Sequence, residues 1–295
     1  MGKLGRRLLV STIGIAVGLL ATKPAYAADC PKDSVRAGTV CIDKYEASVW
    51  QIKPQGGATS LSKDQLQVID KIRDGGVTLA DLNKVGAVQL GILNEAGVPV
   101  NGLVAAGCPL SGNGCTNVYA VSLPGVKPSG NVSWFQAAAA ARNSFKRLPT
   151  NAEWTAAALG TPDSGSDNFV STCNTNTTDG GTGFDAIVNT GSRTDCISDV
   201  KVYDMVGNVI EWVADWVPQS NDTAQVCGGP VGWNHGNGFD GNGYQCLLGA
   251  ETTGDPGALW RGGGSGDGSS AGVFAISGLN TPNATDFALG FRAVR

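Results

Sequence analysis

The chain contains one histidine and eight cysteines, residue types that often bind metals or act as nucleophiles. The histidine, His235, stands among glycines and asparagines, and nothing beside it indicates a fixed, oriented imidazole. We therefore expect it to be a loop residue rather than a catalytic base. A single histidine excludes two-histidine metal motifs, and the lack of a CxxC spacing argues against a zinc or copper site.

The cysteines fall into four pairs whose members are close in sequence. An even number of cysteines in an exported chain favours disulfides. Local pairing is the simplest arrangement, because each bridge then closes a single loop, although other connectivities stay open. The expected pairs are Cys30 with Cys41, Cys108 with Cys115, Cys173 with Cys196, and Cys227 with Cys246.

Residues 1–27 have the three parts of a secretory signal peptide. Lys3, Arg6 and Arg7 form the charged start, residues 8–20 are apolar, and residues 25–27 read Ala-Tyr-Ala, a small-x-small cleavage site. A membrane anchor is the alternative, but the apolar run is shorter than the ~20 residues of a membrane span. We expect cleavage after Ala27 and export of residues 28–295 to the periplasm or the medium, with no membrane span after cleavage.

The full chain carries 21 Lys and Arg residues against 25 Asp and Glu residues, and the predicted signal peptide removes some of the basic ones. The mature chain is therefore acidic, which argues against nucleic acid and anionic lipid as partners. With 43 glycines and 16% charged residues, the composition excludes a coiled coil or a long helical bundle. It favours a compact, loop-rich protein.

Two capping boxes predict helices that would position the central part of the chain. Ser133 with Gln136 precedes a run of alanines, and Thr150 with Glu153 begins a helix that should stop at Gly160. Residues 40–52 have the pattern of a half-buried strand, and residues 60–73 have a helical apolar face. The end of the chain, residues 260–295, predicts short strands separated by loops.

Three further side chains receive structural interpretations. Trp212 and Trp216 are expected in the core rather than on a ligand platform, because large aromatic residues contribute most to core energetics. Arg147 is expected to pair with a carboxylate such as Glu153 or Glu211. The Gly-Asn pair at residues 207–208 predicts a turn.

Several runs of sequence, in the order in which they occur, resemble one family. They read VCIDKYEAS at 40–48, NVSW at 131–134 with KRLPTNAEW at 146–154, DMVGNVIEW at 204–212, and RGG at 261–263 with GFRAVR at 290–295. In these runs the chain is similar to the formylglycine-generating enzymes, or sulfatase-modifying factors. The resemblance covers nearly all of residues 28–295. It implies a single irregular α+β domain related to C-type lectins, with few helices, short strands and long disulfide-held loops.

The resemblance also implies where metals would bind. Family members hold copper with two cysteines that follow the Arg-Gly-Gly run, but the equivalent positions here fall near Asp267 and Gly272. Without a thiolate pair, soft copper has no site there, so we expect no copper. Oxygens near the turn at residues 207–208 bind structural calcium in the family. Asn208, with Asn168 as a poorer match, is therefore the candidate calcium ligand.

The missing copper cysteines leave two classes of function open. The first is non-catalytic binding of a protein or carbohydrate ligand, on a cell or phage surface, through the C-terminal loop surface at residues 263–287. The alternative is an enzyme of this family with an altered site, which would use Asp267 with His235 or a labile Cys227–Cys246 pair. The candidate ligand contacts are Trp260, Ser265, Asp267, Ser269, Ser270, Phe274, Ser277, Asn280 and Asn283.

Some proteins of this fold are targets of diversity-generating retroelements, which rewrite the adenines of AAY codons. A rewritten AAY codon cannot specify Lys, Glu, Gln, Met or Trp, and none of these five residues occurs in residues 261–295. A gap of that length has chance odds of roughly one or two in a hundred. The composition fits a diversified loop surface carried on a rigid fold, and an invariant binding surface lined by Gly/Ser-rich loops is the alternative.

Overall fold

The computed structural model describes residue 2 and residues 29–93, 99–163, 167–176, 187–218, 234–235, 245–247, 249–250 and 255–295. These ranges form the predicted mixed α+β fold, with few helices and short strands. No helix within them is long and apolar enough to cross a membrane. The signal peptide stays a prediction, because residues 3–28 lie outside the described ranges.

The regular elements of the described residues are short. The helices are α1 (Lys63–Arg73), α2 (Leu79–Lys84), α3 (Trp134–Asn143) and α4 (Asn151–Ala158). The strands of the first half are β1 (Ser34–Ala37), β2 (Val40–Asp43), β3 (Ala47–Gln51), β4 (Val88–Leu90), β5 (Ile92–Leu93), β6 (Pro99–Val100) and β7 (Val118–Ser122). Those of the second half are β8 (Ile210–Val217), β9 (Asn234–His235), β10 (Gln245–Cys246), β11 (Gly257–Gly262), β12 (Gly272–Asn280) and β13 (Leu289–Phe291).

The largest sheet contains the C-terminal strands in the order β13-β8-β11-β12-β10-β9. Strand β11 pairs antiparallel with both β8 and β12, and β13 pairs parallel with β8. The register places Trp260 opposite Trp212, and Ala258 between Trp216 and Asn280. The other described strands form the sheets β1-β2, β4-β3-β7 and β5-β6.

Each of the four α-helices begins at a capping box. The two predicted boxes are confirmed: Ser133 caps α3 with Gln136, and Thr150 caps α4 with Glu153. The structure adds equivalent boxes at Ser62 and Thr78, which begin α1 and α2. Helix α4 ends at the predicted place, because the chain turns at Gly160 with a φ of 79°.

Both faces of the largest sheet are buried around Trp212 and Val213 of strand β8. Trp212 of β8 packs in one cluster with Phe291 and the alanines of α3. Val213, the next residue of β8, belongs to a second cluster with Trp154 of α4 and Leu259. Successive side chains of a strand point to opposite faces, so helices α3 and α4 cover opposite sides of this sheet. A third cluster joins α1 and α2 to strands β3 and β7.

Three of the four predicted disulfides are present. Cys30 is bonded to Cys41, Cys108 to Cys115, and Cys173 to Cys196. Cys246 is also disulfide-bonded. The fourth predicted pairing is not tested, because Cys227 lies outside the described residues. No described cysteine is free.

Three sequence predictions are wrong in detail. Residues 40–52 form two strands, β2 and β3, rather than one, because the chain turns between them and buries Glu46. Trp212 is fully buried as predicted, but Trp216 is 38% exposed because it lies near the end of β8. His235 belongs to strand β9, which pairs with β10, and is not a loop residue.

The C-terminal residue returns to the first strands of the domain. The backbone N–H of Arg295 donates to the carbonyl of Cys41 at 2.8 Å, and the N–H of Cys41 donates back at 3.1 Å. The Arg295 guanidinium lies 2.8 Å from a carboxylate oxygen of Asp33. The two ends of the described domain therefore lie side by side.

Candidate ligand-binding surface

Buried contacts hold both ends of the C-terminal segment 261–295. Near its end, the fully buried Arg292 donates to both carboxylate oxygens of Glu211, with Nε at 2.7 Å from Oε2. The indole N–H of Trp154 donates to the same carboxylate at 2.7 Å. At its start, Arg261 is 5% exposed and donates to the carbonyl of Val273 at 2.7 Å. These contacts fix the positions from which the intervening loops leave the sheet.

Arg261 is held without a carboxylate partner among the described residues. Its guanidinium lies 4.6 Å from the ring centroid of Trp154, a cation–π contact, and its Nε has no hydrogen-bond partner. Burial lowers the pKa of this guanidinium to about 10. It therefore stays charged at neutral pH. The rest of the fold must offset the free-energy cost of burying this charge.

The turn at residues 207–208 has the predicted conformation and joins distant segments. Gly207 and Asn208 have φ values of 76° and 58°. The Asn208 side chain donates to Oε2 of Glu46 at 2.6 Å, and the N–H of Val209 donates to Oε1 at 3.0 Å. Burial raises the pKa of Glu46 well above its usual value, with further contributions from the charges of Asp204 and Glu211.

Asn208 and Asn168 do not fit the predicted calcium site. The side-chain oxygen of Asn208 already accepts from the N–H of Val188 at 2.9 Å and from the amide of Asn174 at 3.0 Å. The side-chain oxygen of Asn168 accepts from three backbone N–H groups and one hydroxyl of residues 170–172. Oxygens occupied in this way are poor calcium ligands. Among the described residues, no group of three His, Cys, Asp or Glu side chains is placed to hold a metal.

The predicted ligand contacts fall into two sets, one with buried side chains and one with exposed or partly exposed side chains. Ser265, Ser277 and Trp260 are buried at 1%, 0% and 9% exposure, so they cannot present their side chains to a large external ligand. Trp260 instead donates through Nε1 to Oδ1 of Asn280 at 2.9 Å. The predicted contacts that reach the surface, fully or in part, are Asp267, Ser269, Ser270, Phe274, Asn280 and Asn283.

The loop that carries Asp267 is held by hydrogen bonds within the loop and by one to Thr175. The Asp267 carboxylate accepts from the N–H of Gly264 at 2.8 Å, and the N–H of Gly268 donates to the carbonyl of Thr175 at 2.6 Å. Partial burial raises the pKa of the Asp267 carboxyl, and the charge of Asp286 raises it further. A Cβ atom on Gly264 would lie 3.5 Å from Cβ of Ala288 and 3.8 Å from a carboxylate oxygen of Asp267. The loops at 266–270 and 283–287 therefore contribute to one surface, which we call the C-terminal surface.

An aromatic patch lies beside this surface. Trp134, Phe135 and Trp216 contact one another edge to face, with ring centroids 5.1–5.8 Å apart. The backbone N–H of Trp134 donates to the carbonyl of Pro282 at 3.0 Å, which joins the patch to the C-terminal surface. Sequence reasoning missed the patch. One sequence feature could have indicated it: Trp216 follows the polar Asp215 and lies two residues before Pro218. A proline at this place marks the end of a strand, where side chains become exposed.

Gly272 lies near one of the positions where the resemblance would place a copper cysteine. A Cβ atom there would lie 2.7 Å from a carboxylate oxygen of Asp163. The Asp163 carboxylate is held in place because it accepts from the N–H of Val273 at 2.8 Å. A thiol at this position would therefore require the Asp163 side chain to move.

The sulfatase-modifying factor enzyme 1-like domain (FGE-sulfatase) matches residues 30–295. The chain belongs to this family. No curated protein sequence matches it. In this member of the family, residues 261–295 contain no cysteine, and Cys246, the cysteine that precedes them, is in a disulfide. The thiol-pair alternative for an altered enzyme therefore has no free thiol at Cys246.

Several solved structures are similar to this family member. Major Tropism Determinant P3c Variant is 17% identical, with a TM-score of 0.42, over 90% of this chain and 52% of that chain. PvdO from Pseudomonas aeruginosa is 16% identical, with a TM-score of 0.39, over 90% and 89%. Treponema denticola variable protein 1 is 20% identical, with a TM-score of 0.34, over 57% and 70%. The chain spans about half the length of the Major Tropism Determinant variants.

Proposed function

We propose that the protein is an exported, non-catalytic ligand-binding member of its family, which binds through the C-terminal surface. One observation supports the proposal: the arginines near both ends of segment 261–295 are buried, while the loops between them are exposed. Arg261 and Arg292 are fixed by buried contacts, whereas Asp267, Ser269 and Asn283 lie at the surface. Side chains at such positions can change without disturbing the core, as a recognition surface requires.

The residue content of the segment supports the further proposal that a retroelement diversifies it. Lys, Glu, Gln, Met and Trp are absent from residues 261–295, as they would be if AAY codons had been rewritten. Ser269 and Asn283, both exposed, are residue types that such codons specify. Buried Arg261 and Arg292 would stay constant, because their contacts support the fold.

The partner we propose is a protein or carbohydrate on the surface of a cell or phage. The acidic charge of the chain disfavours nucleic acid and anionic membranes. Export is supported by the signal-peptide pattern and by the disulfides, which form and persist in oxidising compartments. An enzyme with an altered site is the weaker candidate, since the copper cysteines are replaced and a thiol at Gly272 would require the Asp163 side chain to move.

The first experiment is deep sequencing of the 3′ end of the gene in a clonal population and its close relatives. We expect variation confined to the codons of residues 263–287, with the codons of Arg261 and Arg292 constant. Uniform codons throughout would overturn the proposed diversification. That result would leave ligand binding by an invariant surface to be tested separately.

Binding is tested with the labelled mature protein on a panel of intact bacterial cells, phage particles and immobilised oligosaccharides. Ser269→Arg and Asn283→Arg place a large charged group on the C-terminal surface, and we expect each to abolish capture. Ser60→Arg is the matched control, because Ser60 is also exposed but lies before α1, distant in sequence from the C-terminal surface. Capture that survives both test variants, or no capture by the unmodified protein, would contradict the proposal.

A further inference from the structure

The aromatic patch is a fixed part of the scaffold. Besides the edge-to-face contacts among its three rings, the indole N–H of Trp134 donates to the carbonyl of Val213 at 2.7 Å. The patch combines the start of α3 with the end of β8, two elements whose remaining residues pack in the core. Trp216 nevertheless stays 38% exposed. A large apolar side chain held rigid and exposed loses little entropy when a ligand covers it.

Neutral hydrogen-bonding groups border the patch. Asn280 lies two strands from Trp216, because Ala258 pairs with both, and adjacent strands are about 4.8 Å apart. The side-chain oxygen of Asn280 accepts from Trp260, and that of Asn283 accepts from the hydroxyl of Thr281 at 2.6 Å. Each carboxamide keeps its N–H₂ group as a donor for a ligand.

We propose that the aromatic patch and the adjoining carboxamides of Asn280 and Asn283 bind the pyranose rings of a carbohydrate. The inference rests on the proposed function, because it names the ligand class of the same surface. The C–H groups on one face of a pyranose pack on an aromatic ring, whose face carries partial negative charge. The sugar hydroxyls accept from the carboxamide donors at the side of the ring.

The size and charge of the site favour a sugar over a protein or a nucleic acid. The patch and its carboxamides are five side chains, whereas a stable protein interface involves about 20 to 30 residues and buries about 800 Å² on each partner. Arg and Lys side chains, which would recognise phosphate groups, are absent from the five residues of the site. The aromatic rings are also outside residues 261–295, so rewriting of that segment would leave them unchanged while the polar contacts vary.

The test is binding of the full mature protein to an immobilised oligosaccharide panel that includes cellohexaose and N-acetylchitohexaose. We expect binding to at least one sugar, weakened about tenfold or more by Trp216→Ala and less by Trp216→Phe, which retains a ring. Phe145→Ala is the matched control, since Phe145 is 68% exposed and contacts Arg73 rather than the patch. Trp216→Ala removes packing on Trp134 and Phe135 and should lower the melting temperature, so binding by every variant is measured well below its own melting temperature.

Two results would overturn the carbohydrate inference. One is the absence of binding to every sugar of the panel, and the other is binding that Trp216→Ala leaves unchanged. Either result would leave the proposed function intact if cells or phage were still captured and the Ser269→Arg and Asn283→Arg variants abolished that capture. Loss of the proposed function would instead appear as capture insensitive to those two arginines.

Discussion

Arg292, the residue after strand β13, forms a buried ion pair with Glu211 of strand β8, in which the guanidinium contacts both carboxylate oxygens. Both residues are almost fully buried. The same guanidinium also donates to the carbonyls of Asp43 and Tyr203, so it links the N-terminal strands, the segment around residue 203 and the largest sheet. Arg292 is therefore the cross-link that holds the C-terminal segment to the rest of the domain.

We expect Arg292→Met to lower the free energy of unfolding by about 3–5 kcal/mol, because it leaves Glu211 as an unpaired buried charge. Urea unfolding of the exported protein measures this change. Arg147→Met is the matched control. Arg147 forms the predicted pair with Glu153, but its side chain is 51% exposed, so its loss should cost no more than about 1 kcal/mol. Equal effects of the two variants would contradict the assignment of Arg292 as the main cross-link.

Stability should increase as the pH falls from about 8 towards 5. Burial raises the pKa of Asp204 to about 7 and that of Asp43 to about 6 in the folded protein. Both groups ionise near pH 4 when unfolded, so the folded state binds more protons between pH 4 and 7. Their contribution is present at low pH and is lost as the pH rises through these folded-state values.

A carboxyl whose pKa is lowered in the folded protein reduces the stability at still lower pH. The hydrogen bond from Arg147 lowers the pKa of Glu153 to about 2, so its contribution is present above its unfolded pKa and is lost as the pH falls. Urea unfolding measured from pH 3 to 8 should therefore show a maximum near pH 4–5. Asp204→Asn keeps a side chain suited to its φ of 57° and should flatten the slope between pH 5 and 8. An unchanged slope would mean that Asp204 titrates normally.

The disulfides should differ in their contribution to stability because they close loops of different length. Cys173–Cys196 spans 23 residues and Cys108–Cys115 spans 7. Loop-closure entropy predicts losses of about 3 kcal/mol and about 2 kcal/mol when both cysteines of each pair become alanine. Thermal unfolding of the two double variants checks the order. A larger loss for the shorter loop would show that native packing, rather than chain entropy, decides the effect.

Calcium should not stabilise the protein through Asn208 or Asn168. Their side-chain oxygens already accept hydrogen bonds from backbone and side-chain N–H groups. The melting temperature should therefore be the same with millimolar calcium and with excess EDTA. A rise with calcium that Asn208→Ala abolished would show that the turn at residues 207–208 rearranges to bind the ion.

Local sequence signals predicted the helices of the centre well. A capping box needs two residues three positions apart, so Ser133 with Gln136 and Thr150 with Glu153 could be recognised without knowledge of the fold. Arg147 was also predicted to pair with a nearby carboxylate, and it contacts Glu153 with both terminal nitrogens. The disulfides within short loops were predictable for the same reason.

The site was less predictable because exposure depends on contacts between distant segments. Ser277 and Ser265 resemble exposed loop residues in sequence, but strand β12 lies inside a sheet and the loop after Gly262 folds back onto Asn208. Trp212 and Trp216 have the same residue type and strand face, yet Trp212 is fully buried, whereas Trp216 meets the first turn of α3 and stays 38% exposed. The partner of Glu211 is Arg292, 81 residues away, which no local pattern indicates.

The adjacency of Cys41 and Arg295 makes the domain suitable for circular permutation. A short linker could join Arg295 to the start of the described domain, because Arg295 contacts Asp33 and exchanges backbone hydrogen bonds with Cys41. New ends could then be opened at an exposed loop such as residues 55–60, before α1. In that arrangement residues 261–295 would lie in the middle of the chain, with a covalent connection at each end of the segment.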